Sequence, residues 1–163
     1  MQFQSNPAYD KVRGYVAAAG LSLPEDHQTG RPNCGLVAMA IATGENLATA
    51  TEAYAQAHED YYGYRQNASW RGRTHDWLRE RALRAMGYDV DLKCPPRRMT
   101  LKTWVEKHTA RDVTYIVVTT GHAQVVRNNW VFDQDGGYHI DDAKWRRGKM
   151  VRNIVTITKK EVK

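Results

Sequence analysis

Asn33-Cys34-Gly35-Leu36-Val37-Ala38-Met39-Ala40-Ile41-Ala42-Thr43-Gly44 is small and apolar on every side. A surface helix carries one apolar stripe, so a segment without a polar face describes a helix enclosed by other elements. Asn33 precedes it and Gly44 stops it, which places Cys34 in the first turn. Upstream lies a polar loop, Ser22 to Pro32. Before that a first helix is expected from Pro7 to about Ala19, with Asn6 as N-cap, Pro7 at the favoured first position and Gly20 as the stop. Downstream, two more helices are expected, from about Leu47 to Asp60 behind Asn46 and from about His75 to Met86 between Thr74 and Gly87.

After Gly87 the pattern changes to period two, beginning with Tyr88-Asp89-Val90-Asp91-Leu92. A short helix near Leu101 to Lys107 follows, then strands at Val113 to Thr119, Ala123 to Arg127, Trp130 to Phe132 and Val151 to Thr158. Asn128-Asn129 between two β-rich runs signals a two-residue hairpin, because Asn tolerates the positive φ of a type I′ turn. Helices first and an antiparallel sheet after them make the expected class α+β, with the Cys34 helix packed on the sheet. The 163 residues, 42% hydrophobic and 26% charged, have the size and composition of one globular domain over residues 1–163.

The longest apolar stretches, Tyr15 to Gly20 and Gly35 to Ala42, are too short to span a bilayer, so no membrane insertion is expected. The first residues, Met1-Gln2-Phe3-Gln4-Ser5-Asn6-Pro7, lack the basic and apolar regions of a secretory signal, and a cytoplasmic location is expected. Two cysteines, Cys34 and Cys94, cannot form a disulfide scaffold and sit in no Cys-x-x-Cys pair. Twenty-four Lys and Arg against 18 Asp and Glu give +6, a moderate basic excess compatible with nucleic acid or an anionic surface.

Chemistry is expected at Cys34. A thiol at a helix N-terminus feels the positive end of the macrodipole, which favours the nucleophilic thiolate. Gly35 is read as leaving one face of that thiol open, and His27-Gln28-Thr29-Gly30-Arg31-Pro32-Asn33 as a polar approach to it. Of six histidines, His122 is best placed as a base, between Gly121 and the β-run Ala123-Gln124-Val125-Val126. With Asn128 and Asn129 as loop residues, the register sets His122 opposite Asp135 with Asp133 diagonal on the same face, so either carboxylate is in reach. A carboxylate there would orient the imidazole, and the imidazolium would stabilise the thiolate.

These residues resemble a family. Gln28 with Cys34 six positions later, followed by Gly35 and the apolar helix, resembles the nucleophile segment of papain-like cysteine peptidases. Within them it is most similar to the bacteriocin-leader-processing (double-glycine) branch, in which Asp usually stands where this chain has Asn33. Gly121-His122-Ala123-Gln124-Val125-Val126-Arg127-Asn128-Asn129-Trp130-Val131-Phe132-Asp133 is similar to the second half of that signature, and especially to small papain-like proteins encoded by bacteriophages. The resemblance covers about Gln28 to Asp133. It implies a papain-like fold and a cofactor-free cysteine hydrolase acting on a peptide, isopeptide or peptidoglycan-type amide. Cys34 would be the nucleophile, His122 the general base and acid, and Asp133 the group orienting His122, while Gln28 and the Cys34 backbone N–H would bind the oxyanion. A phage origin would place the protein in host cytoplasm or virion.

The alternative is a catalytically silent papain-like binding or virion protein that contacts nucleic acid or a partner protein through basic surfaces. Two basic clusters carry it: Arg71, Arg73, Arg79, Arg81 and Arg84, then Lys144, Arg146, Arg147, Lys149 and Arg152, interleaved with Trp70, Trp77 and Trp145. They are read first as solvated faces. Tyr54, Tyr61, Tyr62, Tyr64 and Trp70 are read as packing partly on the sheet, with a substrate groove as the other use. His27 is read as a solvated loop residue that could fringe the cleft, and His139 near Asp141 and Asp142 as part of a polar turn. His58, His75 and His108 have no partner at metal-ligand spacing. Cys94, before Pro95-Pro96, reads as a buried or incidental thiol.

Overall fold

The computed structural model describes residues 19–21, 23–27, 33–67, 70, 72–144 and 147–161. The helix expected from Pro7 lies outside them but for Ala19, as do Gln28, Arg71, Trp145 and Arg146. The described elements run α1 (Cys34–Thr43), α2 (Leu47–Tyr62), α3 (Asp76–Ala85), β1 (Tyr88–Lys93), α4 (Leu101–His108), β2 (Thr114–Thr119), β3 (His122–Arg127), β4 (Trp130–Asp133), β5 (Gly136–His139) and β6 (Val151–Lys159). The strands form one antiparallel sheet in the order β1-β6-β2-β3-β4-β5. The fold class is α+β, helices α1 to α3 preceding all six strands of the sheet on which α1 packs.

α1 is enclosed, as its sequence demands: Gly35, Leu36, Val37, Ala38, Met39, Ala40 and Ile41 are all buried. Gly44 ends it at φ 72°, a left-handed conformation that costs glycine nothing. Against α1 lie β2, β3 and β4 on one side and α2 and α3 on the other. Fully burying each Leu, Val, Ile or Met side chain contributes roughly 1.5–3 kcal/mol, so this helix is the centre of the main core.

Strand alternation sorts the sheet into two faces. Ile116, Ala123, Val125, Phe132, Val155 and Ile157 join the cluster around α1, whereas Tyr115, Val117, Val126, Val131 and Ile154 pack with Leu101, Trp104 and Val105 of α4. One irregularity changes sides. Val118 pairs with Asn153 but Thr119 pairs with Val151, so one residue is skipped and Val151 joins the α4 cluster. The β3–β4 turn is as expected: Arg127 pairs with Trp130, and Asn128 and Asn129 take φ of 50° and 66°.

β5 is the difference from expectation. Gly136-Gly137-Tyr138-His139, not among the expected strands, pairs with β4 from Asp133–Gly136 to Trp130–His139. Two glycines make a poor strand by propensity, and it is the tight turn at Gln134-Asp135 that holds this segment in register.

Candidate active site

Cys34 opens α1 and packs, half-buried, on the main core. The first intrahelical bonds run from the Leu36 and Val37 N–H groups to the Asn33 carbonyl, each 3.0 Å. The Cys34 and Gly35 amides precede that ladder, at the positive end of the helix.

His122 is the first residue of β3. Its parity is that of Val126, which packs on the α4 side, while its neighbour Ala123 packs on the α1 side. In mid-strand such a ring would face away from Cys34. At the strand end it reaches both Asp133 and Cys34: Nε2 lies 2.6 Å from Asp133 Oδ2, and the ring also interacts with the Cys34 thiol. Asp133 is fully buried, and its Oδ1 accepts the Asp135 N–H at 2.8 Å.

Of the two carboxylates considered, Asp133 is the one in hydrogen-bond contact with His122. The β3–β4 ladder ends at Val125–Phe132 and the chain turns into β5 just past Asp133, so Asp135 is never set opposite His122. Asp135 lies exposed in that turn.

The electrostatics follow from these contacts. Hydrogen bonds to Asp133 and Cys34 push the His122 pKa from 6.5 up to about 9, against the opposing effect of burial and with further help from the two negative charges. For Cys34, burial acts first and raises the thiol pKa. The hydrogen bond from His122, the Ala123 backbone N–H and the charges of His122 and Arg79 outweigh it, and the net direction is down. The two shifts are the two sides of one interaction between Cys34 and His122.

The polar approach loop is tied at two points. Asp26 accepts the Leu47 and Ala48 N–H groups at 2.6 and 2.8 Å, supplementing the Asn46 cap of α2. His27 Nε2 is 2.8 Å from the carbonyl oxygen of Gln134, the residue after Asp133. His27 therefore borders the site rather than standing in solvent, and the chain that continues into Gln28 starts beside the His122–Asp133 pair. Gln28 itself is outside the described residues.

Gly35 has a different cause from the one expected. The space beside it is filled: a Cβ there would come within 2.0 Å of Thr74 Oγ1 and 3.1 Å of Arg79 Nη1. Ala is the better helix former by about 1 kcal/mol, but overpacking costs about 1–3 kcal/mol and here also displaces the Thr74 hydroxyl from its bond with Arg79. Gly35→Ala is expected to be destabilising, read as a lower urea midpoint with unchanged slope.

Arg79 also departs from the expectation of a solvated face. It is 3% exposed, donates to Thr74 Oγ1 at 2.5 Å and pairs with Asp76. Its signal was legible, since Arg79 shares the i, i+3, i+4 face of Leu78, Ala82 and Leu83, all buried. The Ala123 N–H that faces Cys34 carries no sequence signal. Arg84 in the same basic cluster pairs with Glu80.

Among the aromatics, Tyr54 is buried and stacks with Trp70 at 5.6 Å. Tyr61, Tyr62 and Tyr64 are exposed instead of packing on the sheet, with Tyr61 against Trp77 at 4.4 Å. Cys94 is exposed, not buried. His139 lies on β5 against Trp130, with Asp141 nearby. Among the described residues no group of three or more His, Cys, Asp or Glu is placed to hold a metal ion, and no helix is long and apolar enough to cross a membrane.

No protein-family model matches the chain, and no curated protein does. Among solved structures, the chain is similar to the peptidase domain of Streptococcus ComA, a bi-functional ABC transporter involved in a quorum-sensing pathway. The TM-score is 0.44 at 12% identity, over 86% of this chain and 98% of that one. At that likeness the roles of the residues rest on their own geometry.

Proposed function

We propose that the protein is a papain-like cysteine hydrolase of peptide, isopeptide or peptidoglycan-type amides. The observation that carries this is the linked set of Cys34 at the α1 N-terminus, His122 interacting with it, and buried Asp133 at 2.6 Å from His122. The Cys34 thiolate attacks the amide carbonyl, forming a C–S bond, and the carbonyl electrons pass to oxygen. The Cys34 N–H at the helix terminus, with Gln28, binds that oxyanion. As the intermediate collapses, His122 gives a ring proton to the leaving amine and the C–N bond breaks. A thioester remains. Water then attacks it, giving its proton to His122, and the acid product and thiol are released. Asp133 holds the ring in place throughout.

A peptidyl epoxide is a direct probe. One adduct on Cys34, with none on the more exposed Cys94, is the expected mass spectrum after brief exposure near neutral pH. Modification at Cys94 alone would overturn the assignment.

A further inference from the structure

A buried arginine has to be accounted for, because taking a guanidinium out of water costs several kcal/mol unless its surroundings answer it. Arg79 is 3% exposed and its Nε is buried with no hydrogen-bond partner. Its surroundings answer it only in part. Thr74 Oγ1 accepts from Nη1, and Asp76 takes Nη2 on one carboxylate oxygen while the other accepts the Asn153 side-chain amide of β6. Asp76 therefore divides its charge between two donors.

The location is specific. Arg79 Nη1 lies 3.1 Å from the point where a Cβ on Gly35 would stand, one residue from the nucleophile. Only glycine admits this approach, so the helix gives up favourable propensity at its second residue to bring Arg79 and Thr74 against its first turn. The other ionisable groups around Cys34 are few, and His27 borders the site from the preceding loop through its bond with the Gln134 carbonyl. α1 has none besides the thiol. β3 presents His122 and β4 Asp133. α2 presents Tyr54, whose hydroxyl accepts the His75 N–H, and the one ionisable side chain of β2, Tyr115, packs in the α4 cluster. Arg79 is thus a permanent positive charge set against the α1 N-terminus, whereas His122 is positive only while protonated.

We propose that Arg79 is a positioning residue for the nucleophile, its fixed charge behind Gly35 favouring the Cys34 thiolate alongside His122. This rests on Cys34 being the nucleophile. The acyl-enzyme cycle supplies the need: sulfur is anionic when it attacks and again when deacylation expels it, and at both moments Arg79 and the helix terminus add to the charge of protonated His122. A purely structural role, in which Arg79, Asp76 and Asn153 fasten α3 to β6, makes no demand on the thiol.

The test is the pH midpoint of Cys34 alkylation by iodoacetamide in a Cys94→Ser background. Arg79→Met is expected to raise the midpoint by about one pH unit, a ten-fold loss of thiolate below it. Arg79→Lys keeps the charge and should move it by less than half of that. Asp76→Asn leaves the arginine but removes its counter-charge, so the midpoint should fall. That opposite sign is what a fastening role does not produce, and it decides the matter even where Arg79→Met fails to fold. Midpoints unmoved by Asp76→Asn and by any folded Arg79 variant overturn the inference. The parent and His122→Ala run alongside separate the two levels. A parent that titrates as a free thiol removes the nucleophile and this inference together. A parent that responds to His122→Ala but not to the Arg79 and Asp76 variants removes this inference alone.

Discussion

Cys34→Ala abolishes amide hydrolysis, a loss of about 10³-fold or more, and leaves the fold intact. The chemical step needs a nucleophile whose loss nothing else in the site replaces: His122 could direct water, but without the acyl-enzyme the two-step route is gone. The structural consequence is small, because Cys34 is only half-buried and loses a single sulfur at the first residue of a helix otherwise fastened from Gly35 to Ile41. Initial rates of new amino-group release from denatured casein and from purified peptidoglycan, with melting temperatures beside them, check this. Because the pair acts as a unit, adding His122→Ala to Cys34→Ala should lower the residual rate no further. Equal rates in parent and Cys34→Ala would contradict the mechanism.

Asp133→Asn is expected to move the alkaline limit of activity toward neutral pH. The leaving amine needs a proton from His122, so the rate falls on the alkaline side as His122 loses it, near pH 9 in the parent. The largest cause of that high value is the bond to Asp133. An amide of the same shape accepts a hydrogen bond but brings no charge, and the limit should drift toward 6.5. At pH 8 the imidazolium fraction then drops about 30-fold, and activity with it. Stability follows the same linkage. A pKa raised on folding contributes stability that is complete below about 6.5 and lost as pH rises through about 9, so urea midpoints of parent and variant should differ most near pH 6 and converge above pH 9. An alkaline limb that stays near 9 in Asp133→Asn would show that Asp133 does not set the proton on His122.

Much of this arrangement is written locally. The all-apolar run after Cys34 can only be an enclosed helix, and the Asn128-Asn129 turn fixes Arg127 against Trp130, which brings His122 within reach of Asp133 along adjoining strands. What the local pattern does not carry is where the hairpin stops. The choice between Asp133 and Asp135 depends on β5, a strand held by turn geometry in a glycine-rich segment with little propensity of its own. Contacts between distant segments were equally hidden. Gly35 is glycine because Thr74 and Arg79 come from another part of the chain to fill the adjoining space, and nothing at Gly35 records that. Arg79 did leave a trace, an arginine on the apolar face of its own helix, masked by the exposed arginines around it. His27 gave no trace, since its partner is a backbone carbonyl 107 residues away.

The two thiols of this protein offer a contest between exposure and activation. Cys94 is exposed, whereas Cys34 is half-buried but paired with His122. Site-resolved alkylation by iodoacetamide at pH 6 measures which property governs. If Cys34 is held as a thiolate, it is alkylated faster than Cys94 despite its burial, and His122→Ala reverses the order by returning Cys34 toward or above the free-thiol value of about 8.5. If Cys94 reacts first in the parent and His122→Ala changes nothing, Cys34 and His122 do not form a reactive pair and the protein is not a cysteine hydrolase.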